Sequence, residues 1–144
     1  MGNSNWKIWN PSKYNHGKYL EKLELTESQN GLVIKVESDR HIFSFIYDHL
    51  ECGNYVEAFR FVDEMKGSYL LKELSLAREK YLEESNKKWY LYKSTNSDFI
   101  NWYNNLPGPG TDIYNIEHQV ILTSETTFEI LSKYEPKIIV EYKK

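Results

Sequence analysis

The fold is decided by residues 19–47, which read YLEKLELTESQNGLVIKVESDRHIFSFIY. Three runs in this stretch alternate apolar and polar side chains, the pattern of β-strands with one buried face. Two short polar segments, Ser28-Gln29-Asn30-Gly31 and Ser38-Asp39-Arg40, separate the runs and are typical of turns. The stretch therefore predicts an antiparallel meander of three strands.

Alternation also predicts which side chains share a face in each strand. In the first strand, Leu23 and Leu25 share the apolar face. In the second, that face carries Leu32, Ile34 and Val36. The third strand has apolar side chains on both faces, and its two sets are Phe43, Phe45 and Tyr47, and Ile42, Ser44 and Ile46. A strand covered on both faces belongs in the interior of a sheet, so the third strand is predicted to be central.

Two later segments change to a spacing of three and four residues, which predicts helices. The first lies between residues 68 and 85, with Ser68 as its N-cap. The second begins near Asn96-Ser97-Asp98 and ends at Pro107-Gly108-Pro109-Gly110, which cannot continue a helix. The predicted apolar stripe of this helix consists of Phe99, Trp102, Tyr103 and Leu106.

The remaining period-two segments complete the expected architecture. Strands are predicted at residues 55–63, 88–93, 116–123, 127–131 and 137–142, the first of which also fits a helical period. The pattern predicts an α+β fold, with a mainly antiparallel, curved sheet of about six to eight strands and two helices. The length fits a single globular domain over residues 1–144. Residues 1–17 are expected to form an irregular N-terminal arm whose Trp6 and Trp9 pack on the domain.

Composition excludes several classes of function. Hydrophobic residues make up 40% of the chain, yet no apolar run approaches the roughly 20 residues of a membrane span, so no membrane segment is expected. Nucleic-acid binding is not expected either, because the 18 basic residues are scattered and few are arginines. The N-terminus lacks the apolar stretch of a secretory signal, which favours a cytoplasmic location.

Candidates for nucleophilic or metal chemistry are weak. Cys52 cannot form an intramolecular disulfide and has no flanking motif of a catalytic thiol, so we interpret it as inert. A zinc site drawn from His41, His49, Asp48 and His118 would not follow any known ligand spacing. We therefore expect no metal, no other cofactor and no assigned catalytic residue.

His118 is the most informative histidine. By alternation it shares a face with Ile116, Val120 and Leu122, where a neighbouring carboxylate would tune its pKa. A hydrogen-bonded core histidine is the favoured interpretation. The alternative is a small enzyme or ligand-binding domain whose pocket gathers His118, a carboxylate and tyrosine hydroxyls.

Aromatic residues suggest a binding surface. The chain has four Trp, twelve Tyr and six Phe, more than the interior of a small domain accommodates, and exposed Tyr and Trp are enriched in protein interfaces. The loop after the second helix is the best candidate, since loops on rigid scaffolds carry much of binding. The predicted partner-binding residues are Trp102, Tyr103, Asp112, Tyr114, Glu117 and His118.

Three segments of the C-terminal half resemble a group of small bacterial proteins that includes immunity partners of polymorphic toxins. They are Asn96-Ser97-Asp98-Phe99-Ile100-Asn101-Trp102, Glu117-His118-Gln119-Val120-Ile121-Leu122-Thr123 and Glu129-Ile130-Leu131-Ser132. The resemblance covers about a third of the chain and contains no chemical motif. It implies a non-enzymatic cytoplasmic protein that binds and blocks a cognate toxin, and a net charge of −3 is compatible with a basic partner. The expected partner is therefore another protein, and the oligomeric state is left open.

Overall fold

The computed structural model describes residues 5–12, 19–50, 53–63, 66, 70–81, 89–111 and 114–143. In these residues it contains two helices and nine strands in two antiparallel sheets. The strands are β1 (Lys7–Ile8), β2 (Glu21–Ser28), β3 (Gly31–Glu37), β4 (His41–Tyr47), β5 (Ala58–Asp63), β6 (Leu91–Ser94), β7 (Glu117–Leu122), β8 (Thr126–Ser132) and β9 (Lys137–Tyr142). The helices are α1 (Leu71–Tyr81) and α2 (Asp98–Asn104). The predicted α+β class with two helices is confirmed, and the strands lie in two sheets.

The predicted meander forms most of a four-stranded sheet in the order β2-β3-β4-β9. The β2–β3 hairpin closes with Ser28 opposite Gly31, as its turn sequence predicts. Gly31 has φ +124°, and a β-carbon there would collide with the carbonyl oxygen of Tyr47. Only glycine fits this position, because β4 approaches the turn so closely.

Burial follows the predicted alternation in β3 and β4 but not in β2. The predicted apolar face of β3 is buried, and β4 lies between β3 and β9, so the prediction of a central third strand is confirmed. In β2 the register shifts between Lys22 and Glu24, which leaves Leu23 46% exposed. The predicted shared face of Leu23 and Leu25 is therefore wrong, because a β-bulge interrupts the alternation.

The five-stranded sheet has the order β1-β6-β7-β8-β5. The favoured strand interpretation of residues 55–63 is confirmed for Ala58–Asp63, which form β5, whereas residues 55–57 lie before the strand. Apolar side chains of both sheets form one buried cluster, which includes Leu32, Ile34, Val36, Phe43 and Phe45 of the four-stranded sheet and Leu91, Ile121, Phe128 and Ile130 of the five-stranded sheet. The main core thus lies between the two sheets.

The helices bury two further apolar clusters against the five-stranded sheet. Leu70, Leu74 and Ala77 at α1 pack with Trp6, Tyr92 and Val120, and Phe99 and Ile100 of α2 pack with Ile116 and Leu131. Trp6 and Trp9 are 5% and 1% exposed, so the expectation that the arm packs on the domain is confirmed. The predicted N-cap Ser68 lies outside the described residues. Neither described helix is long and apolar enough to cross a lipid bilayer.

The predicted stripe of α2 is only partly correct. Phe99 is buried, whereas Trp102 is 51% and Leu106 43% exposed. Ile100 is buried in their place. The helix is only seven residues long, and it contacts the sheet through Phe99, Ile100 and the partly buried Tyr103, whereas Trp102 and Leu106 face solvent.

Candidate functional site

The histidine singled out by the sequence is enclosed in the structure. His118 lies on the face of β7 that also carries Val120, which is the face covered by the helices. It is 1% exposed. Its ring packs against Trp6, with centroids 4.8 Å apart, and against Phe99 of α2 at 5.2 Å. In this conformation His118 does not reach the surface at which a partner would bind.

A chain of polar contacts runs from α2 through His118 to β8 and β5. Ser97 Oγ lies 2.7 Å from His118 Nδ1, and His118 Nε2 lies 2.8 Å from Glu129 Oε1. Arg60 donates to both carboxylate oxygens of Glu129, from Nε at 2.8 Å and from Nη2 at 3.0 Å. Glu129 is 0% exposed, so this bidentate pair supplies the compensation that a buried carboxylate requires. These four residues are called the buried polar chain below.

The burial of His118 indicates the protonation state of its ring. Ser97 is the N-cap of α2, and its Oγ accepts a hydrogen bond from the backbone N–H of Ile100 at 3.2 Å. One further lone pair and the hydroxyl proton of Ser97 remain for the contact with Nδ1. Burial lowers the pKa of His118 from its ordinary 6.5, although the nearby carboxylate of Glu129 opposes this shift. A neutral ring at pH 7 follows.

A serine, a histidine and a carboxylate in contact also form the machinery of many nucleophilic enzymes. Here Ser97, His118 and Glu129 are 3%, 1% and 0% exposed. Ser97 Oγ caps a helix, and Arg60 pairs with the carboxylate. The buried polar chain therefore ties α2 to the sheet and does not present a nucleophile at the surface.

An open cleft lies where the segment leading into β7 meets the turn between β8 and β9. Its volume is about 500 Å³. Its lining comes from three stretches of the chain and consists of Thr95, Thr111, Tyr114, Asn115, Ile116, Glu117, Lys133, Tyr134 and Glu135. The residues next to His118 in sequence thus face the cleft, while His118 itself lies under the helices. This opening is called the β7 cleft.

One wall of the β7 cleft carries a buried ion pair. Lys133 Nζ lies 3.5 Å from Glu57 Oε1, and these side chains are only 9% and 4% exposed. The same ammonium group lies 3.8 Å from the centroid of the Tyr114 ring, a cation–π contact. Tyr103 Oη donates to Glu57 Oε2 at 3.2 Å. These contacts fix Lys133 and Tyr114 in one orientation.

Two carboxylates of the cleft lining, those of Glu117 and Glu135, lie around the ammonium group of Lys93 on β6. Lys93 Nζ lies 3.4 Å from Glu117 Oε2 and 3.9 Å from Glu135 Oε1. Beneath them, Gln119 Nε2 lies 3.3 Å from Glu117 Oε1, from Glu135 Oε2 and from the carbonyl oxygen of Tyr134. The cleft therefore presents both signs of charge.

The floor of the β7 cleft is anchored in the main core. Tyr47 Oη donates to Gln119 Oε1 at 2.5 Å, and Trp9 Nε1 donates to Glu135 Oε1 at 2.9 Å. Burial raises the pKa of Tyr47 well above its ordinary 10.0, and the nearby charge of Glu135 raises it further, so the phenol remains a donor. Charged groups held this way lose little side-chain entropy when a partner binds.

Tyr114 and Glu117, both predicted from the sequence, line the β7 cleft. Predicted Tyr103 is half-buried and joins it through the hydrogen bond to Glu57. Trp102 lies on the exposed side of α2 and packs against Phe99, with ring centroids 5.6 Å apart.

Two predicted partner-binding residues remain. Asp112 lies outside the described residues, and His118 is enclosed. Cys52, which we interpreted as inert, also lies outside the described residues. Asn104, two residues after Trp102, is hydrogen-bonded to Thr111 at the cleft rim, Nδ2 to Oγ1, at 2.8 Å. This hydrogen bond places the C-terminal end of α2 next to the rim of the β7 cleft.

Sequence reasoning missed Arg60, Glu129, Lys133 and Gln119. One signal for Glu129 was present, because alternation places it on the same face of β8 as buried Leu131. A carboxylate on a buried face requires a partner. The identity of this partner could not be predicted from the sequence, since Arg60 lies 69 residues away.

The histidines considered as metal ligands are dispersed. His41 begins β4 in the four-stranded sheet, His49 contacts the Tyr134 ring at 5.2 Å, and His118 lies under the helices of the other sheet. Within the described ranges, no group of three or more His, Cys, Asp and Glu side chains is placed to hold a metal ion.

Comparison with protein-family models, with curated proteins and with solved structures gives no match for this chain.

Proposed function

We propose that this protein is a non-enzymatic binding module whose partner is another protein. The proposed contact region is the α2–cleft surface, which consists of Trp102, Tyr114, Glu117, Lys133 and Glu135. The observation that carries the proposal is the contrast between two neighbouring sites. Ser97, His118 and Glu129, which could act together in catalysis, are enclosed, whereas aromatic and charged side chains line an open cleft of about 500 Å³.

Side-chain chemistry supports a protein as the partner. Trp102 is half-exposed on the helix that borders the cleft, and Tyr114 and ion-paired charges line the cleft. Such side chains are typical of interface centres, where a few aromatic residues dominate the binding energy. The cleft is lined by the carboxylates of Glu117 and Glu135 and the ammonium group of Lys133, and Glu57 and Lys93 pair with these groups. One negative charge is left over, which favours a basic group on the partner.

The finer form of the proposal is that the partner is a bacterial toxin and that binding neutralises it in the cytoplasm. Support comes from the resemblance of three C-terminal segments and from the acidic balance of the chain, −3 at pH 7. Electrostatic attraction would accelerate the encounter with a basic toxin.

Binding is tested with the protein that co-purifies with the wild-type chain from its own cells, identified and then produced separately. Trp102→Ala should weaken its binding at least about tenfold, because truncating a central Trp typically costs about 2 kcal/mol. Leu76→Ala is the matched control, since Leu76 is 58% exposed on α1. If no protein is retained, or if both variants bind like the wild type, the proposed surface is refuted.

The immunity form has its own test. Expression of the captured partner alone should arrest growth, and co-expression of the wild-type chain should restore it. Trp102→Ala should restore growth less well than Leu76→Ala. A partner that is harmless when expressed alone would refute the immunity role and leave protein binding intact.

A further inference from the structure

Strand β9 ends the four-stranded sheet, and its backbone directs hydrogen-bonding groups outward. Lys143 N donates to the carbonyl oxygen of Arg40 at 2.9 Å, one position beyond the pair formed by Tyr142 and His41. Backbone groups alternate in direction along an antiparallel strand. Odd-numbered residues of β9 therefore bond to β4, while the N–H and C=O groups of Ile138 and Val140 point to the outer edge.

The two edges of the four-stranded sheet differ in a way that matters for pairing. Edge strand β2 carries a bulge at Leu23, and bulges prevent a further strand from pairing. Edge strand β9 pairs with β4 at six consecutive positions without a register shift. It also leaves Ile139 50% exposed. Of the two, β9 is the edge able to accept another strand.

The sequence of β9 is complementary to itself in the antiparallel direction. We propose that two copies of the protein pair through their β9 strands about a two-fold axis at Ile139. Ile139 then lies opposite Ile139 of the second copy, and Lys137 lies opposite Glu141 of the second copy at both ends of the pairing. Ile138 and Val140 lie opposite one another and exchange the backbone hydrogen bonds, as their outward direction requires.

Charge selects this register among those that the backbone allows. A shift of two residues in one direction would place Lys137 opposite Lys143, and a shift in the other would place Glu135 opposite Glu141. Like charges in directly opposed positions destabilise a strand pair, whereas opposite charges and apolar pairs stabilise it. The register centred on Ile139 is the one with two favourable ion pairs and an apolar contact between them.

The proposed dimer is isologous and joins two four-stranded sheets into one of eight strands. An edge pairing of five residues from each copy, 137–141, buries less surface than most stable interfaces, so association should depend on concentration. This inference does not depend on the proposed function, because it rests on the β9 edge of the four-stranded sheet and not on the residues of the α2–cleft surface.

Sedimentation velocity over a concentration series tests the dimer. Lys137→Glu and Glu141→Lys, each alone, place like charges opposite one another and should weaken dimerisation at least about tenfold. The double variant reverses both charges and should restore the wild-type dissociation constant. Lys137 also lies 3.1 Å from Asp48 in an exposed pair, so thermal melts of each variant confirm that the fold is intact.

A second pair of variants tests the apolar contact. Ile139→Lys should abolish dimerisation, whereas Leu23→Lys, a matched change at the other edge of the sheet, should not. Amide hydrogen exchange identifies the surface: the Ile138 and Val140 amides should become protected as concentration rises. A chain that stays monomeric up to about 1 mM overturns the proposal. A dimer with unprotected Ile138 and Val140, or a double variant that stays monomeric, also overturns it.

Discussion

At the scale of single residues, Glu129 determines whether the buried polar chain stabilises the fold. Its carboxylate pairs with Arg60 and contacts His118 at 0% exposure. We expect Glu129→Ala to lower the free energy of unfolding by about 3 kcal/mol, because the buried His118 and the partly exposed Arg60 lose a shared partner at once. Urea unfolding measures this. Glu125→Ala, in the exposed β7–β8 turn, should change stability by less than about 0.5 kcal/mol, and equal losses would contradict the structural role.

The protonation of His118 gives a pH dependence of stability. Its pKa is lowered in the fold by burial, so the unfolded chain takes up a proton at higher pH than the folded chain does. Stability should therefore fall as pH drops below the unfolded value of 6.5, by at most about 1.4 kcal/mol per pH unit. Thermal melts between pH 8 and pH 5 should show a flatter profile for His118→Gln. Identical profiles would show that His118 does not titrate on unfolding.

How far the site was predictable is clearest for these two residues. Alternation in residues 116–123 correctly placed His118 on a buried face, because that inference needs only local periodicity. Its contacts with Ser97 and Glu129 depend on the pairing of β7 with β8 and on the packing of α2. Arg60 joins from β5, whose partner strand begins more than 60 residues later. Such long-range register leaves no local signal.

At the scale of elements, the β2–β3 hairpin depends on one glycine. Gly31 and Gly53 both have positive φ, at +124° and +86°. Alanine at Gly53 meets nothing within 4 Å and should cost about 1 kcal/mol of backbone strain. Alanine at Gly31 would also collide with the Tyr47 carbonyl, so we expect a loss of at least about 3 kcal/mol. Chemical denaturation of both variants makes the comparison. Equal losses would show that β4 can move away from the turn.

Local patterns predicted the strands better than the helices. The alternation in β3 and β4 runs uninterrupted, so the strands and their buried faces follow directly. In β2 a single bulge reversed the expected orientation of Leu23. In α2 the spacing was helical, but the short helix contacts the sheet through Phe99, Ile100 and Tyr103, which leaves Trp102 exposed. Periodicity predicts an element and a face, whereas the length of contact with the sheet decides which residues are buried.

At the scale of the whole molecule, the division into two sheets could not be derived from local patterns. Three strand pairs, β4 with β9, β5 with β8 and β1 with β6, join strands that are far apart in sequence. The β7 cleft is a product of this arrangement, since its lining comes from three separated stretches.

The shared core between the sheets predicts how the molecule unfolds. Phe45 of the four-stranded sheet packs in the same cluster as Phe128 and Ile130 of the five-stranded sheet. Neither sheet can separate without exposing this cluster, so we expect one cooperative transition, as in a single domain. Far-UV circular dichroism and tryptophan fluorescence should give coincident urea midpoints.

Phe45→Ala should lower the free energy of unfolding by about 3–4 kcal/mol, with both midpoints moving together. Phe61→Ala, at a side chain that is 55% exposed, should have a much smaller effect. Two separated transitions, only one of them shifted by Phe45→Ala, would show that the sheets fold independently.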